Sequence, residues 1–181
     1  MSKKEILITT SIKIFNKNGF HATGINEILK EANVSKMTLY KYFKTKDELI
    51  VEALNKVHQN FVQNFLEKIS AKKDNPKNKI IELFNMLAES ALNSKDVRCI
   101  FINASAEFPD INHPAHQAAF AHKLSTQDFF QEQLILLKIE NPEHTARILT
   151  SLTQGALVMT QIGGDKRYYD DCKQAVQKLI N

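Results

Sequence analysis

The sequence predicts an all-α protein, and three observations carry that prediction. Gly and Pro are scarce, at five and four of 181 residues, while residues that favour helix are plentiful. Apolar positions recur at three- and four-residue spacing along almost the whole chain. Between these runs stand helix starts such as Ser2, Thr45 and Asn141-Pro142, and stops such as Asn18-Gly19 and Gly163-Gly164. The architecture expected is a three-helix N-terminal module joined by a long helix to a helical C-terminal domain, about nine helices in all. The division is placed at 1-47 and 48-181.

Each element has its own warrant. Ser2-Lys3-Lys4-Glu5 has the spacing of a capping box, so a first helix begins near residue 3 and buries Leu7, Ile8, Ile12, Ile14 and Phe15. Thr23 is the residue type that caps a second helix, with Ile25, Ile28, Leu29 and Ala32 on one side. Asn33 tolerates a left-handed backbone, and Ser35 caps a third helix. Thr45-Lys46-Asp47-Glu48 is a second capping box. It opens a helix expected to run through Phe61, Phe65 and Ile69 as one rigid strut, roughly 35 Å long at 1.5 Å per residue.

Pro76, Pro114 and Pro142 each suit the first position of a later helix. Ile80, Phe84 and Leu87 give the fifth its apolar side. A short apolar element follows over Val97 to Glu107, then a helix from Pro114 to about Ile139, and one from Pro142 that stops at Gly163. Asp165 is placed to cap the last, which carries Tyr169, Val176 and Ile180.

Charge is uneven. The net charge is +4, and residues 1 to 50 hold nine Lys against five acidic groups, so the remainder is neutral. That is the footprint of a nucleic-acid module on a neutral partner domain, or of a merely solvated lysine face. Cys99 and Cys172 show no metal spacing and are expected as reduced thiols. No apolar run approaches 18 residues and Met1 begins a polar helix, so a cytoplasmic protein with no membrane partner is expected. No phosphate loop, catalytic triad or cofactor motif is legible, which points away from an enzyme.

The informative stretch is Val34 to Phe43, VSKMTLYKYF. At about 100° per residue, Lys36, Met37, Tyr40, Lys41 and Lys44 share one helical face, while Leu39, Tyr42 and Phe43 gather on another. A short helix with an apolar anchor and a cationic, aromatic outer surface suits double-stranded DNA. The pair of short helices joined at Ala32–Ser35 reads as a helix-turn-helix.

Taken with its surroundings this stretch resembles the TetR-type family of transcriptional regulators. The resemblance rests on Phe15-Asn16-Lys17-Asn18-Gly19-Phe20, Ala22-Thr23, Ile28, Ala32-Asn33-Val34-Ser35-Lys36, Thr38-Leu39-Tyr40, Tyr42-Phe43-Lys44, Lys46 and Leu49. It implies a homodimer joined through its last two helices, bound to a palindromic operator, with a small-molecule effector held in the C-terminal helices. Carried over by position, Lys36, Thr38, Tyr40 and Lys41 meet DNA from the recognition helix, and Thr23, Ser35, Tyr42 and Lys46 meet its backbone. Met37 departs from the small residue common at its position; its bulk contacts a thymine methyl or restricts backbone approach. Core packing is the alternative role for Tyr40 and Tyr42, and plain solvation for the lysines.

Two further constellations are named. Phe65, Met86, Phe101, Asn103, Phe120, Phe130, Gln154 and Met159 combine apolar bulk with a few amides, as an effector site does, although each also suits plain core. Glu107, Asp110, His113 and His116 have metal-ligand side chains, which raises a metal sensor or a helical metal-dependent enzyme as the alternative function. Their spacing matches no zinc pattern, and Asn112 or His113 as a helix cap, with His116 packed in the first turn, is the simpler reading. A DNA-binding architectural protein without effector is the third class.

Overall fold

A computed structural model describes residues 1–93 and 99–180. Nine helices are found among them: α1 (Lys3–Asn18), α2 (Ile25–Ala32), α3 (Lys36–Tyr42), α4, α5 (Pro76–Asn93), α6 (Ile100–Glu107), α7 (Pro114–Leu136), α8 (Pro142–Gly163) and α9 (Arg167–Leu179). α4 begins as an α-helix over Lys46–Phe61, passes through a π-helical turn at Val62–Leu66 and closes with Glu67–Ser70. The strut expected to be regular therefore carries one wider turn, closed by i→i+5 hydrogen bonds. No strand occurs among the described residues, and none of their helices is long and apolar enough to cross a membrane. Val97 and Arg98, expected in the short apolar element, and the side chain of Leu92 lie outside the described residues.

The chain forms two compact units. One comprises Met1–Asn60 with Arg98–His122; the other comprises Phe61–Val97 with Lys123–Asn181. The first is built around Leu7, Phe15, Ile28, Leu39, Phe43, Leu49 and Leu54, all shut off from solvent, with Phe101, Ala104 and Ala115 in the same core. Helix α6 and the start of α7 thus share a core with α1 to α4. Local pattern does not reveal this, because these residues are distant in sequence. The second unit packs Leu66, Ile69, Ile80, Phe84, Phe130, Leu149 and Val176 together, with the Phe84 and Phe130 rings stacked at 5.6 Å.

Helix ends follow their predicted chemistry in most places. Ser2 Oγ accepts from the Glu5 amide at 3.2 Å, and the Glu5 carboxylate accepts from the Ser2 amide, a complete capping box. At α4 the Thr45 hydroxyl accepts from the Glu48 amide, whereas the Glu48 side chain reaches the amide of Lys44. Asn33 is left-handed at φ 50°, and bonds from Val34 N–H to Leu29 C=O and from Asn33 N–H to Lys30 C=O close α2 as a Schellman motif. Asn75 Oδ1 caps α5 through the Asn78 amide. At α9 the cap position is held by Lys166, without a side-chain bond, and not by Asp165 as expected; Asp165, one residue earlier, accepts from the Arg167 amide.

Three further expectations are corrected. α2 is capped at Gly24, which offers no side-chain bond; the Thr23 hydroxyl instead donates to Gly19 C=O at 2.6 Å. α7 stops at Leu136, because Lys138 turns left-handed at φ 58° and closes another Schellman motif with Ile139. Tyr42 leaves the apolar anchor: three residues on from Leu39, and so about 60° round the helix from it, its side chain stands at the edge of the buried side and is exposed.

Candidate nucleic-acid interface

Helix α3 has seven residues, too few to be stable alone, and it is held from both sides. Ser35 Oγ accepts from the Thr38 amide at 3.2 Å and lies 2.9 Å from the Thr38 hydroxyl, which fixes its first turn. Beneath it Leu39 is fully buried, and Val34 and Phe43 are buried on either side. What remains outside is the predicted face. Met37 is 83% exposed, Tyr40 46% and Tyr42 39%; Lys36, Lys41 and Lys44 are also exposed. The Lys36 ammonium stands 6.0 Å from the centre of the Tyr40 ring, close enough for a cation–π contact.

The surface is cationic, since α3 carries no acidic residue at all. Lysine ammonium groups and a tyrosine hydroxyl on an exposed helix can meet phosphate oxygens and base edges together. Thr38 is half-buried and its hydroxyl pairs with Ser35, so both hydroxyls have a partner within the helix. Lys46 is half-buried at the first position of α4. Thr23 is wholly buried with its hydroxyl turned inward, so its side chain is not on this surface.

The remaining candidates scatter. Of the eight effector residues, Phe101, Asn103 and Phe120 belong to the first unit and the other five to the second. Phe120 is 59% exposed, while Phe130 is wholly buried within its core; Phe65 and Met86 pack against that same core. Met159 lines an open groove of about 550 Å³ between α8 and α9, beside Ile148, Leu152, Tyr168 and Cys172. Cys172 donates weakly to Leu152 C=O, and burial pushes its thiol above the ordinary range. Neither cysteine is in a disulfide.

The histidine segment has structural work. His113 Nδ1 accepts from the Ala115 amide at 3.2 Å, its ring stacks on Phe108, and Nε2 faces Asp47 at 3.7 Å. His116 Nδ1 donates to Phe108 C=O at 2.8 Å. Asp110 Oδ1 accepts from the Asn112 amide. Glu107 accepts from two main-chain amides of the α1–α2 turn, a role that sequence reasoning missed because the partners are 87 and 86 positions away.

Residues 7–53, which hold α1 to α3 and the first part of α4, match the family model described as bacterial regulatory proteins, tetR family. The chain belongs to the TetR family. It is 22% identical over 178 residues to the HTH-type transcriptional regulator YjdC of Escherichia coli, covering 98% of this chain and 93% of that one. It is 42% identical over 55 residues to the HTH-type transcriptional regulator QacR of Staphylococcus aureus, 30% of this chain and 29% of that. Its fold is similar to that of SCO4454, a TetR-family transcriptional regulator from Streptomyces coelicolor. The TM-score is 0.89 and the identity 26%, with 98% of this chain and 94% of that one covered. As a TetR-family regulator it is a helix-turn-helix DNA-binding protein and not an enzyme, with α2 and α3 as its helix-turn-helix. Members of the family bind operator DNA and small-molecule effectors and are typically dimeric.

Proposed function

We propose that this protein is a cytoplasmic homodimeric repressor that holds a palindromic operator and is released by a small organic effector. The observation that carries the reading is the divided surface of α3, where Leu39 is buried and Lys36, Met37, Tyr40 and Lys41 all face out. Residues 1-47 supply the DNA-binding module, and 48-181 supply effector binding and dimerisation. Lys36, Met37, Thr38, Tyr40 and Lys41 read the groove; Ser35, Tyr42 and Lys46 hold the backbone.

Dimerisation through α8 and α9 is supported by the apolar character of their groove and by Ile162, a large apolar side chain 78% exposed on α8. Two recognition helices of such a dimer engage successive major grooves when about 34 to 36 Å apart. An effector acts by preferring a dimer geometry that misses this spacing. Its site draws on Phe65, Met86 and Gln154; Gln154 Oε1 is buried without a hydrogen-bond partner and suits a ligand donor. A regulator similar to this chain at 24% identity over 186 residues is described as the transcriptional repressor NemR of Escherichia coli.

The test is selection from a random-sequence duplex pool, followed by gel-shift titration with competitor DNA. Enrichment of an inverted repeat, bound by two protomers, is the expected result. Equal affinity for all duplexes would sink the reading.

A further inference from the structure

Helix α2 starts without a cap of its own, since Gly24 provides no side-chain acceptor. The turn before it, Gly19 to Thr23, is also without a main-chain ladder. Two of its amides, those of Phe20 and His21, are satisfied from α6. Glu107 Oε1 accepts from Phe20 N–H at 3.0 Å and Oε2 from His21 N–H at 2.7 Å. In return His21 Nε2 donates to the main-chain carbonyl of Glu107 at 2.7 Å, which assigns the Nε2–H tautomer. Phe108, the next residue, packs on both rings of the turn, at 5.7 Å from Phe20 and 4.8 Å from His21.

The clamp has a geometric requirement on the other side. Gly19 adopts φ 87° and ψ 171°, a conformation open essentially to glycine alone. A Cβ there would lie 2.9 Å from Glu107 Oε1. The absence of a side chain at residue 19 is thus what lets the carboxylate reach two successive amides. Inside the turn, the Thr23 hydroxyl takes Gly19 C=O, and Asn18 Nδ2 donates to Glu27 Oε1 across it. Of these hydrogen bonds, those with Glu107 tie the turn to α6, and the Phe108 ring packs beside them.

We infer that Glu107 is a positioning residue for DNA recognition: its carboxylate fixes the direction in which α2 leaves the turn, and through α2 the presentation of α3. Phosphate contacts tolerate a small misorientation, because ammonium groups on flexible stems follow the backbone. Base-edge contacts do not, because their hydrogen bonds are directional. Loss of the clamp therefore lowers specific affinity while sparing non-specific affinity. The inference rests on the DNA-reading function proposed above.

The experiment uses the full chain and a duplex selected by the native protein, with a scrambled duplex of equal length at the same salt. Glu107→Gln keeps the side-chain size but replaces one acceptor oxygen with an amide NH2 that opposes a main-chain N–H. The expected result is a fall of about tenfold or more in affinity for the selected duplex, equivalent to 1.4 kcal/mol. Affinity for the scrambled duplex stays within about twofold. His21→Phe, which removes only the Nε2 bond, shifts the same ratio in the same direction by less. A purely structural role would lower the melting temperature and leave the ratio of the two affinities unchanged, and that unchanged ratio overturns the inference. If Glu107→Gln does not fold, the ratio in His21→Phe decides. Should the native protein enrich no sequence, the regulator reading fails first; enrichment with an unaltered ratio removes only the role of Glu107.

Discussion

A Cβ built on Gly19 would stand 2.9 Å from Oε1 of Glu107, so the conformation of one residue and the reach of the other are tied. Gly19→Ala is expected to cost on the order of 2 to 3 kcal/mol, combining backbone strain with a displaced carboxylate acceptor. Urea denaturation read by circular dichroism checks this, with the midpoint lowered and the slope unchanged.

The two faces of α3 should separate cleanly under mutation. Leu39→Ala removes a fully buried side chain and is expected to cost about 2 to 5 kcal/mol. Met37→Ala, at a position 83% exposed, should leave stability within about 0.5 kcal/mol while altering operator affinity. Thermal denaturation paired with gel-shift titration distinguishes them.

Lys46→Ala should weaken binding nearly equally across duplex sequences and reduce the slope of log affinity against log salt by about 1. A change in base preference instead would move Lys46 from phosphate to base contact. Tyr40→Phe tests the hydroxyl: a packing role leaves affinity unaltered.

Three carboxyls sit below their ordinary range in the folded chain. Main-chain and then side-chain hydrogen bonding to Ser2 lowers Glu5. The Asn78 amide, then the Asn75 main chain, lowers Asp74, and Arg167 lowers Asp165. A carboxyl depressed on folding stabilises the fold above its unfolded value and loses that contribution as pH falls through the folded one. The contribution of these carboxyls to the melting temperature is therefore expected to be flat between about pH 5 and pH 8 and to fall below about pH 4. Glu5→Gln should remove part of that slope, as scanning calorimetry across pH would register.

The sequence discloses what short-range chemistry decides. Ser2 with Glu5, Asn33 and Ser35 cap or terminate helices as their spacing implies, and Thr45 caps α4 while Glu48 serves the amide one residue before it, because partner and donor lie within a turn of each other. Thr23 misleads because its hydroxyl has two local options, the next helix or the carbonyl four residues back, and the second wins. Tyr42 is exposed because its place on the helix, about 60° from Leu39, is at the edge of the buried side, where the wheel does not decide between core and solvent. The π turn at Val62–Leu66 changes the period by one residue in an apolar run that reads equally well either way. The candidate site is legible where it is local to α3. Glu107 is not, since a carboxylate that serves amides in a distant turn leaves no mark on its own neighbourhood.

The division of α3 into an inner side held by Leu39 and an outer side of exposed Lys, Met and Tyr has a consequence for descent with modification. Substitutions on the outer side change what is read and leave the fold above the stability threshold below which selection removes a variant. Recognition can drift, duplicate and diverge there without repacking a core. A lineage built on this helix can acquire new binding sites by surface exchange alone, while Leu39 and its neighbours stay put.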